Sequence, residues 1–393
     1  MTRTSDRAET VVVGRRGVAR LRRGHPWVYR SDIRSGDRQA GLVSLVDERG
    51  TALGTALWSP RSEIRVRYLA PPGDVVDPSW WARRLCVAAA RRVTLGIDST
   101  AYRVVHAEGD ALPSLVVDRY GDLIVAQLLS AGLEAVRADV LEAIHDVLRP
   151  SAVLLRNDTS VRRHEGLPLE ITAAAGSPPD EIDVREGTVR FGVRPREGQK
   201  TGAFLDQRDN RLLMGAVATG RCLDVFTYHG LFAIHMSARG QSVQAVDSSS
   251  AALSVARTNA DRNPAGSSIH WVEANAFDHL RRLEQTGEQF DTVVLDPPAF
   301  AKARGSVERA LRGYKEINLR AMRLLAPGGL LLTCSCSYHV SRERFTTMLA
   351  DAAADSRRRL GVVRYVGQAP DHPELLTVPE TGYLKGVLLR SLE

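Results

Sequence analysis

Short apolar segments separated by turn residues fill the first seventy positions of the chain. Around residues 64–68 apolar and basic residues alternate, with Ile64, Val66 and Tyr68 on one side and Arg65 and Arg67 on the other. Because successive side chains of a strand point to opposite faces, this alternation predicts strands with one buried face and one basic face. We therefore predict a small β-barrel-like domain over residues 1–70.

A second unit begins after the Pro71-Pro72-Gly73 turn. Helical spacing of apolar residues predicts a helix over 79–95, and the apolar runs that follow predict further elements. These are strands at 101–106, 114–118 and 123–129, a helix near 132–147 and a strand at 152–156. We predict a small α+β middle domain over residues 71–185.

Predicted strands and helices alternate from about residue 186 to the end of the chain. The strands are expected at 221–226, 242–246, 269–273, 291–295 and 329–334, with two terminal strands near 361–366 and 383–390. Repeated strand and helix units build a doubly wound sheet that binds ligands at the carboxyl ends of its strands. We therefore predict an α/β domain over residues 186–393. Its terminal hairpin would offer an edge to a second copy of the chain, which makes a homodimer conceivable.

The positive charge of the chain is concentrated at its N-terminus. The 53 basic and 46 acidic residues give a net charge of +7, and residues 1–70 alone hold 14 Arg and no Lys against 7 acidic residues. This asymmetry favours a polyanion as partner, nucleic acid before membrane. The alternative is that 49 Arg against 4 Lys reflects the base composition of the genome and that the surface arginines are merely solvated.

The segment from Arg20 to Tyr29 combines arginine, histidine and aromatic residues. This composition suits phosphate contacts and stacking on unpaired bases. The alternative is that the aromatic residues anchor the core of the domain. The candidate RNA-binding residues are Arg20, Arg22, Arg23, His25, Trp27 and Tyr29.

Several classes of protein are excluded by what the sequence lacks. No apolar stretch approaches the roughly 18 residues that a membrane span needs. The polar first ten residues are unlike a signal peptide, so we expect a cytoplasmic protein. The four cysteines are too few and too scattered for a disulfide framework, and no Cys-x2-Cys pair indicates structural zinc. We expect thiols and no metal.

A nucleotide-type cleft is predicted where the first strand of the third domain ends. Asp224 is followed by a tight turn at Gly230 and a predicted helix, whose exposed amides polarise such a site. Asp247 ends the next strand, 23 residues later, where it can accept hydrogen bonds from ribose hydroxyls. Because the chain lacks G-x-G-x-x-G and a P-loop, the pattern favours S-adenosylmethionine over NAD or ATP. The alternative is that both carboxylates only cap their strands.

Candidate catalytic groups follow the fourth and fifth strands. Asp296 precedes two prolines, which have no N–H and a fixed φ, so it is held rigidly at the sheet edge. Asp-Pro-Pro after an apolar strand is typical of methyltransferases that act on planar nitrogen-containing groups. Cys334 and Cys336 share a face of the fifth strand, with Cys334 deeper and Cys336 at the mouth. Cys336 is a candidate nucleophile if a cationic or helix-end environment favours its thiolate, and the alternative is a small core residue.

With these motifs in hand, the chain resembles the RlmI-type family of class I S-adenosylmethionine-dependent ribosomal RNA cytosine-C5 methyltransferases. The likeness extends nearly from end to end, through GHPWVY, YRVVHAEGDALPSLVVDRYGD, RNDTSVRRHEGL, GQKTGAFLDQRDNR at 198–211, LDPPAF, the SCS of 335–337, and DHPELL with PETGYLKG at 371–386. It implies a PUA RNA-binding domain, a middle domain, a Rossmann-like methyltransferase domain and large-subunit ribosomal RNA as substrate. The cofactor-binding residues it implies, together with those argued above, are Gln199, Lys200, Thr201, Phe204, Asp206, Gln207, Asp224, Phe226, Tyr228, Gly230, Asp247, Asn275 and Asp296.

The resemblance also implies a mechanism, and it favours Cys336 over Cys334 because the family motif is Ser-Cys-Ser. Cys336 would add to C6 of cytosine and make C5 nucleophilic toward the activated methyl group, while Asp296 would bind the N3/N4 edge of the base. The base that removes the C5 proton is unassigned. A cytosine in folded RNA has to be unstacked or flipped to reach the cleft.

Three departures from the family pattern concern the cofactor. His229 and Leu231 stand in the loop that usually reads close to S-Y-T-G-G-F, and Asn275 replaces the usual acid. Two further hypotheses therefore stay open. One is a methyltransferase that acts on another RNA base or on an amino group, for which Cys336 is dispensable. The other is an RNA-binding protein with a degenerate methyltransferase domain.

Overall fold

The structure is a computed structural model that describes residues 9–36, 38–198, 201–301 and 304–393. The chain divides into two compact units. The first holds the described residues up to Val184 with Val193–Leu205 and Pro370–Thr381, and the second holds Arg185–Gly192, Asp206–Ala369 and Gly382–Glu393. The domain boundaries predicted at residues 70 and 185 stay a prediction. Among the described residues, no helix has the length and apolar character needed to cross a membrane.

The N-terminal part of the first unit is a five-stranded sheet. Val11, Val43, Ala56 and Val66 pack with Trp58 in its core. The strands lie in the order β1-β3-β4-β5-β2, with β1 and β3 parallel and the other pairs antiparallel. They are β1 (Glu9–Val13), β2 (Trp27–Tyr29), β3 (Gly41–Asp47), β4 (Ala52–Trp58) and β5 (Ile64–Ala70), and helix α1 (Arg15–Arg22) lies between β1 and β2 in the chain.

The side of β5 that carries Arg65 and Arg67 is buried, so the basic face predicted from the alternation is wrong. Arg65 and Arg67 are 7% and 5% exposed. The Arg67 guanidinium donates to Glu165 at 2.8 Å, and the Arg65 guanidinium lies 5.8 Å from the centre of the Trp58 ring. A buried arginine needs such a partner, and Glu165 is 98 residues away along the chain, where no local pattern reveals it.

A second sheet of the first unit has the strand order β10-β9-β8-β7-β6. The predicted helix over 79–95 is confirmed: Asp77 caps it by accepting from the Trp80 N–H at 2.8 Å, and Pro78 occupies its first turn. The helix predicted near 132–147 is two helices that meet at Val136. The elements are α2 (Pro78–Thr94), β6 (Ala101–His106), β7 (Leu115–Tyr120), β8 (Leu123–Leu128), α3 (Ala131–Ala135), α4 (Arg137–Leu148), β9 (Ala152–Arg156), α5 (Val161–Glu165) and β10 (Ile171–Ala175).

The second unit contains a seven-stranded sheet in the order β15-β14-β13-β16-β17-β19-β18. The first five of these strands are parallel, and β19 and β18 are antiparallel, as the terminal hairpin was predicted to be. The strands are β13 (Arg221–Val225), β14 (Ser242–Asp247), β15 (Ile269–Glu273), β16 (Phe290–Leu295), β17 (Leu325–Ser335), β18 (Leu360–Gly367) and β19 (Lys385–Ser391). A separate two-stranded sheet is formed by β11 (Ile182–Glu186) and β12 (Val189–Val193).

Six helices accompany this sheet in the chain, and their apolar residues recur at helical spacing. In α10, for example, Val307, Ala310, Tyr314, Ile317 and Ala321 are all buried in the core that the sheet shares. The helices are α6 (Arg208–Val217), α7 (Leu231–Ser237), α8 (Ser250–Ala260), α9 (Ala276–Gln285), α10 (Val307–Arg323) and α11 (Arg342–Ser356).

The strand order reverses between β13 and β16. After β13 the chain moves outward to β14 and β15, and it then crosses to β16 and β17 on the other side. In open α/β sheets, ligands bind outside the carboxyl ends of the strands at such a reversal. The carboxyl ends of β13, β14, β16 and β17 therefore define the edge at which a site is expected.

Candidate active site

The turn after β13 holds a buried carboxylate. Asp224 Oδ2 accepts hydrogen bonds from the Thr227 hydroxyl at 2.5 Å and from the Ala233 N–H at 3.0 Å. Its Oδ1 has no hydrogen-bond partner in the described part of the chain. Burial, with the nearby Asp296 and Asp247, raises the pKa of Asp224 to about 7. This acid can therefore receive a further donor or a cation.

The same turn has an unusual backbone. Phe226 and Tyr228 have positive φ values of 69° and 50°, which non-glycine residues adopt rarely and often at functional sites. Gly230 has φ 78°, and a Cβ there would lie 2.7 Å from the Trp271 ring, so the turn requires glycine. His229 stacks on Tyr228 with ring centres 3.6 Å apart, and burial lowers the pKa of His229 to about 4. The imidazole is thus neutral at pH 7.

Asp247 joins the ends of two neighbouring strands. Its Oδ2 accepts from the Tyr228 N–H at 2.9 Å, and its Oδ1 accepts from the Ser249 N–H at 3.0 Å. Asn275, after β15, is exposed and caps α9, where its Oδ1 accepts from the Phe277 N–H at 2.9 Å. Asn275 thus caps a helix, a structural role that its prediction as a cofactor-binding residue did not include.

Asp296 is oriented by a chain of side-chain amides. The Gln207 Nε2 donates to Asp296 Oδ1 at 2.8 Å, and the Gln207 Oε1 accepts from the Asn210 amide at 2.6 Å. Asn210 also donates to the Gly367 carbonyl at 3.0 Å. Because Gln207 and Asn210 are buried, this chain fixes the direction of the Asp296 carboxylate. The neighbouring Asp206 accepts a hydrogen bond from the Tyr383 hydroxyl at 2.5 Å.

Cys336 follows the end of β17 and is partly exposed, whereas Cys334 is wholly buried, as predicted. The Cys336 Sγ lies 3.9 Å from the Pro297 carbonyl oxygen, so the thiol adjoins the loop that carries Asp296. Burial raises the pKa of Cys334 well above its ordinary value, which makes that thiol unreactive.

Ser337 fixes the backbone beside Cys336. Its hydroxyl accepts from the Ala301 N–H at 3.1 Å and lies 2.9 Å from the Tyr314 hydroxyl. Its carbonyl accepts from the Lys385 Nζ at 2.6 Å. Sequence reasoning assigned no role to Ser337, Tyr314 or Lys385. For Lys385 a signal existed, since it is one of only four lysines in an arginine-rich chain and lies next to the apolar run of β19.

Two predicted cofactor residues belong to the first unit. Thr201 is buried, donates to Asp118 and lies 3.2 Å from the Tyr120 hydroxyl, and Asp118 in turn accepts two hydrogen bonds from Arg103. Phe204 is half-buried. Gln199 and Lys200 lie outside the described residues. The cofactor contacts predicted for these four residues stay a prediction.

The candidate RNA-binding residues divide into exposed and internally bonded groups. Arg22 and Arg23 are exposed at the end of α1, with no ion pair to any described residue. Arg20 pairs with Asp32 at 2.9 Å and lies 4.6 Å from the Tyr29 ring centre. His25 lies 3.2 Å from Glu380, and the Trp27 indole donates to Glu108 at 2.9 Å. The helix also presents the exposed Arg15 and Arg16, which the sequence analysis did not select.

Comparison with known proteins defines the class of protein first. Residues 153–390 match the family model described as S-adenosylmethionine-dependent methyltransferase, and residues 11–71 match the model described as PUA-like domain. Two solved structures share the fold: one described as a SAM-dependent methyltransferase from Streptococcus mutans (TM-score 0.81, 17% identity, 97% of this chain and 100% of that chain) and a methyltransferase complexed with SAH (TM-score 0.82, 18% identity, same coverage).

Sequence relatives narrow the class. The chain is 39% identical to "Ribosomal RNA large subunit methyltransferase I" of Tolumonas auensis over 95% of this chain and 96% of that protein. It is 39% identical to the protein of the same name from Erwinia tasmaniensis, over 94% and 96%. The chain thus belongs to the ribosomal RNA large subunit methyltransferase I family. The predicted fold class, a PUA-like domain with a Rossmann-like methyltransferase domain, and the predicted cofactor S-adenosylmethionine are confirmed.

The strand-end site has the chemistry that this cofactor requires. S-adenosylmethionine carries a positively charged sulfonium and an ammonium group. Asp224 Oδ1 has no hydrogen-bond partner among the described residues, and burial, with the nearby carboxylates of Asp296 and Asp247, raises the pKa of this acid to about 7, so a positive charge beside these carboxylates would balance them. A cationic ligand would supply that balance, so the residues present fit the cofactor.

Proposed function

We propose that this protein methylates C5 of a cytosine in large-subunit ribosomal RNA, with Cys336 as the nucleophile. The relatives are named for large-subunit ribosomal RNA, and the resemblance of the motifs to C5 methyltransferases supplies the target atom. The observation that carries the proposal is the approach of the Cys336 Sγ to the Pro297 carbonyl, beside the oriented carboxylate of Asp296.

The cofactor would be held at the carboxyl ends of β13 and β14. Asp224 would face its cationic end, Asp247 its ribose hydroxyls, and the turn of Phe226, Tyr228 and Gly230 would approach it through the backbone. Further candidates for cofactor contacts at this edge are Asp206, Gln207 and Asn275. The preceding segment of the chain adds the candidates Gln199, Lys200, Thr201 and Phe204. When bound, S-adenosylmethionine supplies an electrophilic methyl group.

Cys336 would make the cytosine reactive. Its thiolate forms a bond to C6, which turns the C4–C5 bond into an enamine and gives C5 the electron density that it lacks in cytosine. Once C5 is methylated, a base that stays unassigned takes the C5 proton. The electron pair of the C5–H bond re-forms the C5–C6 double bond as the S–C6 bond breaks, which releases the thiolate. Asp296, fixed by Gln207, would bind the N3/N4 edge of the base and so orient the ring for the attack of Cys336 on C6.

RNA would be bound through the N-terminal domain. Arg22 and Arg23 are exposed and suited to phosphate, whereas Arg20, His25, Trp27 and Tyr29 have internal contacts that fix the surrounding loop. Deleting residues 1–70 is therefore expected to weaken binding of ribosomal RNA and to leave the affinity for S-adenosylmethionine unchanged. Unchanged affinity for RNA would contradict this assignment.

A homodimer would use β18, the edge strand of the seven-stranded sheet. Val362, Val363 and Tyr365 are exposed on it. However, the register shifts between Val362 and Arg364, and such a bulge with a charged residue disfavours pairing of two edges. Sedimentation velocity over a range of concentrations decides between monomer and dimer.

The test compares wild-type protein, Cys336→Ser and the control Cys86→Ser, which alters an exposed cysteine of α2. Each is incubated with labelled S-adenosylmethionine and unmodified ribosomal RNA, and the product is identified by nucleoside mass spectrometry. We expect 5-methylcytosine from wild type and Cys86→Ser and none from Cys336→Ser, which still binds the cofactor. RNA that contains 5-fluorocytosine is expected to trap a covalent adduct only when Cys336 is present.

Two results would contradict the proposal. A different methylated nucleoside, or full activity of Cys336→Ser, indicates methylation without a covalent adduct. Binding of RNA with no product in any variant indicates an RNA-binding protein whose methyltransferase domain is degenerate.

A further inference from the structure

Lys385 is a buried lysine beside the candidate nucleophile. It begins β19, where it is paired in register with Ser335 of β17. Its Nζ donates to the carbonyl of Ser337 at 2.6 Å, so Lys385 contacts the residues on both sides of Cys336. Only 6% of Lys385 is exposed. The buried lysine therefore adjoins the chain segment that carries the partly exposed thiol.

No carboxylate of the described residues forms an ion pair with Lys385, and its ammonium group donates to a neutral carbonyl. Burial of an ammonium group without a counter-charge is unfavourable, and buried charges in proteins are usually paired. The neighbouring anion that is chemically available is the thiolate of Cys336. In an Arg-rich chain the choice of lysine is informative as well, because lysine presents a compact charge that can titrate, whereas arginine stays protonated.

We infer that Lys385 is a positioning residue that holds its ammonium group near Cys336 and thereby stabilises the thiolate that attacks cytosine. The inference rests on the proposed function of Cys336 and adds the cation that this function requires. In the step itself, the S–H bond of Cys336 breaks and its proton passes to solvent water. Lys385 keeps its own protons, one of them in the hydrogen bond to Ser337.

Three other charged groups bear on this pair. Arg342, at the start of α11, is exposed and adds positive charge. Asp296 and Asp206, beside Cys334, add negative charge that opposes a thiolate. Burial, together with Arg342, lowers the pKa of Lys385 to about 8, while the Cys336 thiolate acts in the opposite direction. Lys385 is therefore mostly protonated at pH 7, and the stabilisation declines as the pH rises above about 8.

The experiment measures thiol reactivity in the full chain, without RNA or cofactor. Wild-type protein, Lys385→Met, Lys385→Arg and Arg342→Ala are alkylated with iodoacetamide between pH 5 and pH 10, and each cysteine is quantified by peptide mass spectrometry. The exposed Cys86 serves as internal reference, and the buried Cys222 and Cys334 report whether a variant is folded.

In wild type, the midpoint pH for alkylation of Cys336 is expected to be about one unit below that of Cys86. Lys385→Met is expected to raise the midpoint pH of Cys336 by about one unit. Lys385→Arg keeps a positive charge, so it is expected to keep most of the difference between the midpoints of Cys336 and Cys86. Arg342→Ala is expected to shift the midpoint of Cys336 less than Lys385→Met does. A wild-type midpoint for Cys336 at or above that of Cys86 overturns the inference even if no variant folds. An unchanged midpoint in folded Lys385→Met overturns it too.

The outcome is independent of the test of the proposed function. If Cys336→Ser still methylates RNA but the Cys336 midpoint is low and depends on Lys385, the covalent mechanism fails while the lysine–thiolate pair stands. If Cys336→Ser is inactive and the midpoint does not depend on Lys385, the nucleophile stands and the role of Lys385 is wrong.

Discussion

Glu186 and Asp224 are two buried carboxylates of the second unit with opposite surroundings. Glu186 accepts two hydrogen bonds from Arg211, both at 2.6 Å, and lies 2.9 Å from the His235 ring nitrogen. Although burial raises the pKa of Glu186, its pairing with Arg211 lowers that pKa to about 2. Among the described residues, Asp224 has only a hydroxyl and an amide as partners, and burial raises its pKa to about 7. The first acid is satisfied within the fold, and the second is not.

The buried cations of the described residues, too, include some that are paired with a carboxylate and one that is not. In the first unit, Arg92 is paired with both oxygens of Asp110 at 2.5 and 2.7 Å, and Arg103 with both oxygens of Asp118 at 2.7 and 2.9 Å. Lys385 has a neutral carbonyl instead. The matched pairs hold elements together, whereas Asp224 and Lys385 lie at strand ends of the methyltransferase sheet. We interpret the unmatched charges as the part of the molecule that a ligand or a reacting group completes.

The largest expected effect is the loss of a matched pair. Arg211→Met leaves the buried Glu186 without its guanidinium partner, with the His235 ring nitrogen at 2.9 Å, and we expect the free energy of unfolding to fall by about 3–5 kcal/mol. Urea denaturation at pH 7 measures this. As a control, Arg281→Met removes a half-exposed arginine that pairs with Asp278 and Glu316, and it is expected to cost about 0–1 kcal/mol. If both variants lose the same free energy of unfolding, the buried pair stabilises the protein no more than the exposed pair does, which would contradict this prediction.

Removal of the unmatched charge is expected to affect ligand binding instead. Asp224→Asn keeps the shape of the side chain but cannot balance a cation, so the Kd for S-adenosylmethionine at pH 8 should rise by about ten- to a hundredfold. For wild type, the affinity should decline as the pH falls below about 7, because the carboxylate of Asp224 is then protonated. Isothermal titration calorimetry at several pH values measures both effects. If the affinity of Asp224→Asn for S-adenosylmethionine shows the same pH dependence as wild type, a group other than Asp224 causes that dependence.

Asp224 and Glu186 make the free energy of unfolding depend on pH in opposite directions. Native Asp224 holds its proton up to about pH 7, whereas the unfolded chain releases it near pH 3.8, so this group lowers stability as the pH rises between these values. The contribution of Glu186 is present above pH 4.5 and is lost as the pH falls toward about 2. We therefore expect Asp224→Asn to gain stability over wild type between pH 4 and pH 7, measured by urea denaturation of the cofactor-free protein.

These contrasts mark what the sequence can and cannot predict. Apolar runs with turn residues at their ends located the strands of the seven-stranded sheet, because parallel strands are buried on both faces. The carboxyl ends of these strands are also where the sequence analysis placed the candidates Asp224, Asp247, Asp296 and Cys336, whose roles stay a prediction. Partners distant in the chain were not predictable: the pairing of Arg67 with Glu165 buried a face expected to be open, and Lys385 is 49 residues from Cys336.

A smaller effect is expected at the amide chain that orients Asp296. Gln207→Leu removes the donor to Asp296 Oδ1 while preserving much of the buried volume, and we expect kcat to fall about tenfold with little change in the Kd for cofactor. Single-turnover methylation of ribosomal RNA and calorimetry separate the two quantities. Gln207→Glu provides a second variant of nearly the same size, which places a like charge against Asp296 and should reduce kcat at least as much.

The smallest effects are expected on α1, where paired and unpaired arginines lie on one helix. Arg16 and Arg20 share Asp32, at 3.1 and 2.9 Å, whereas Arg22 and Arg23 have no ion pair to any described residue. If both unpaired arginines neutralise phosphates, replacing them with alanine should reduce the slope of log affinity for RNA against log salt by about 1.4–1.8. Arg20→Ala should reduce that slope less than the loss of one unpaired arginine does, because Arg20 is already paired with Asp32. If the paired and unpaired arginines reduce the salt slope equally, an ion pair within the protein does not prevent a surface arginine from binding RNA. The contrast between matched and unmatched charges would then apply only to buried residues.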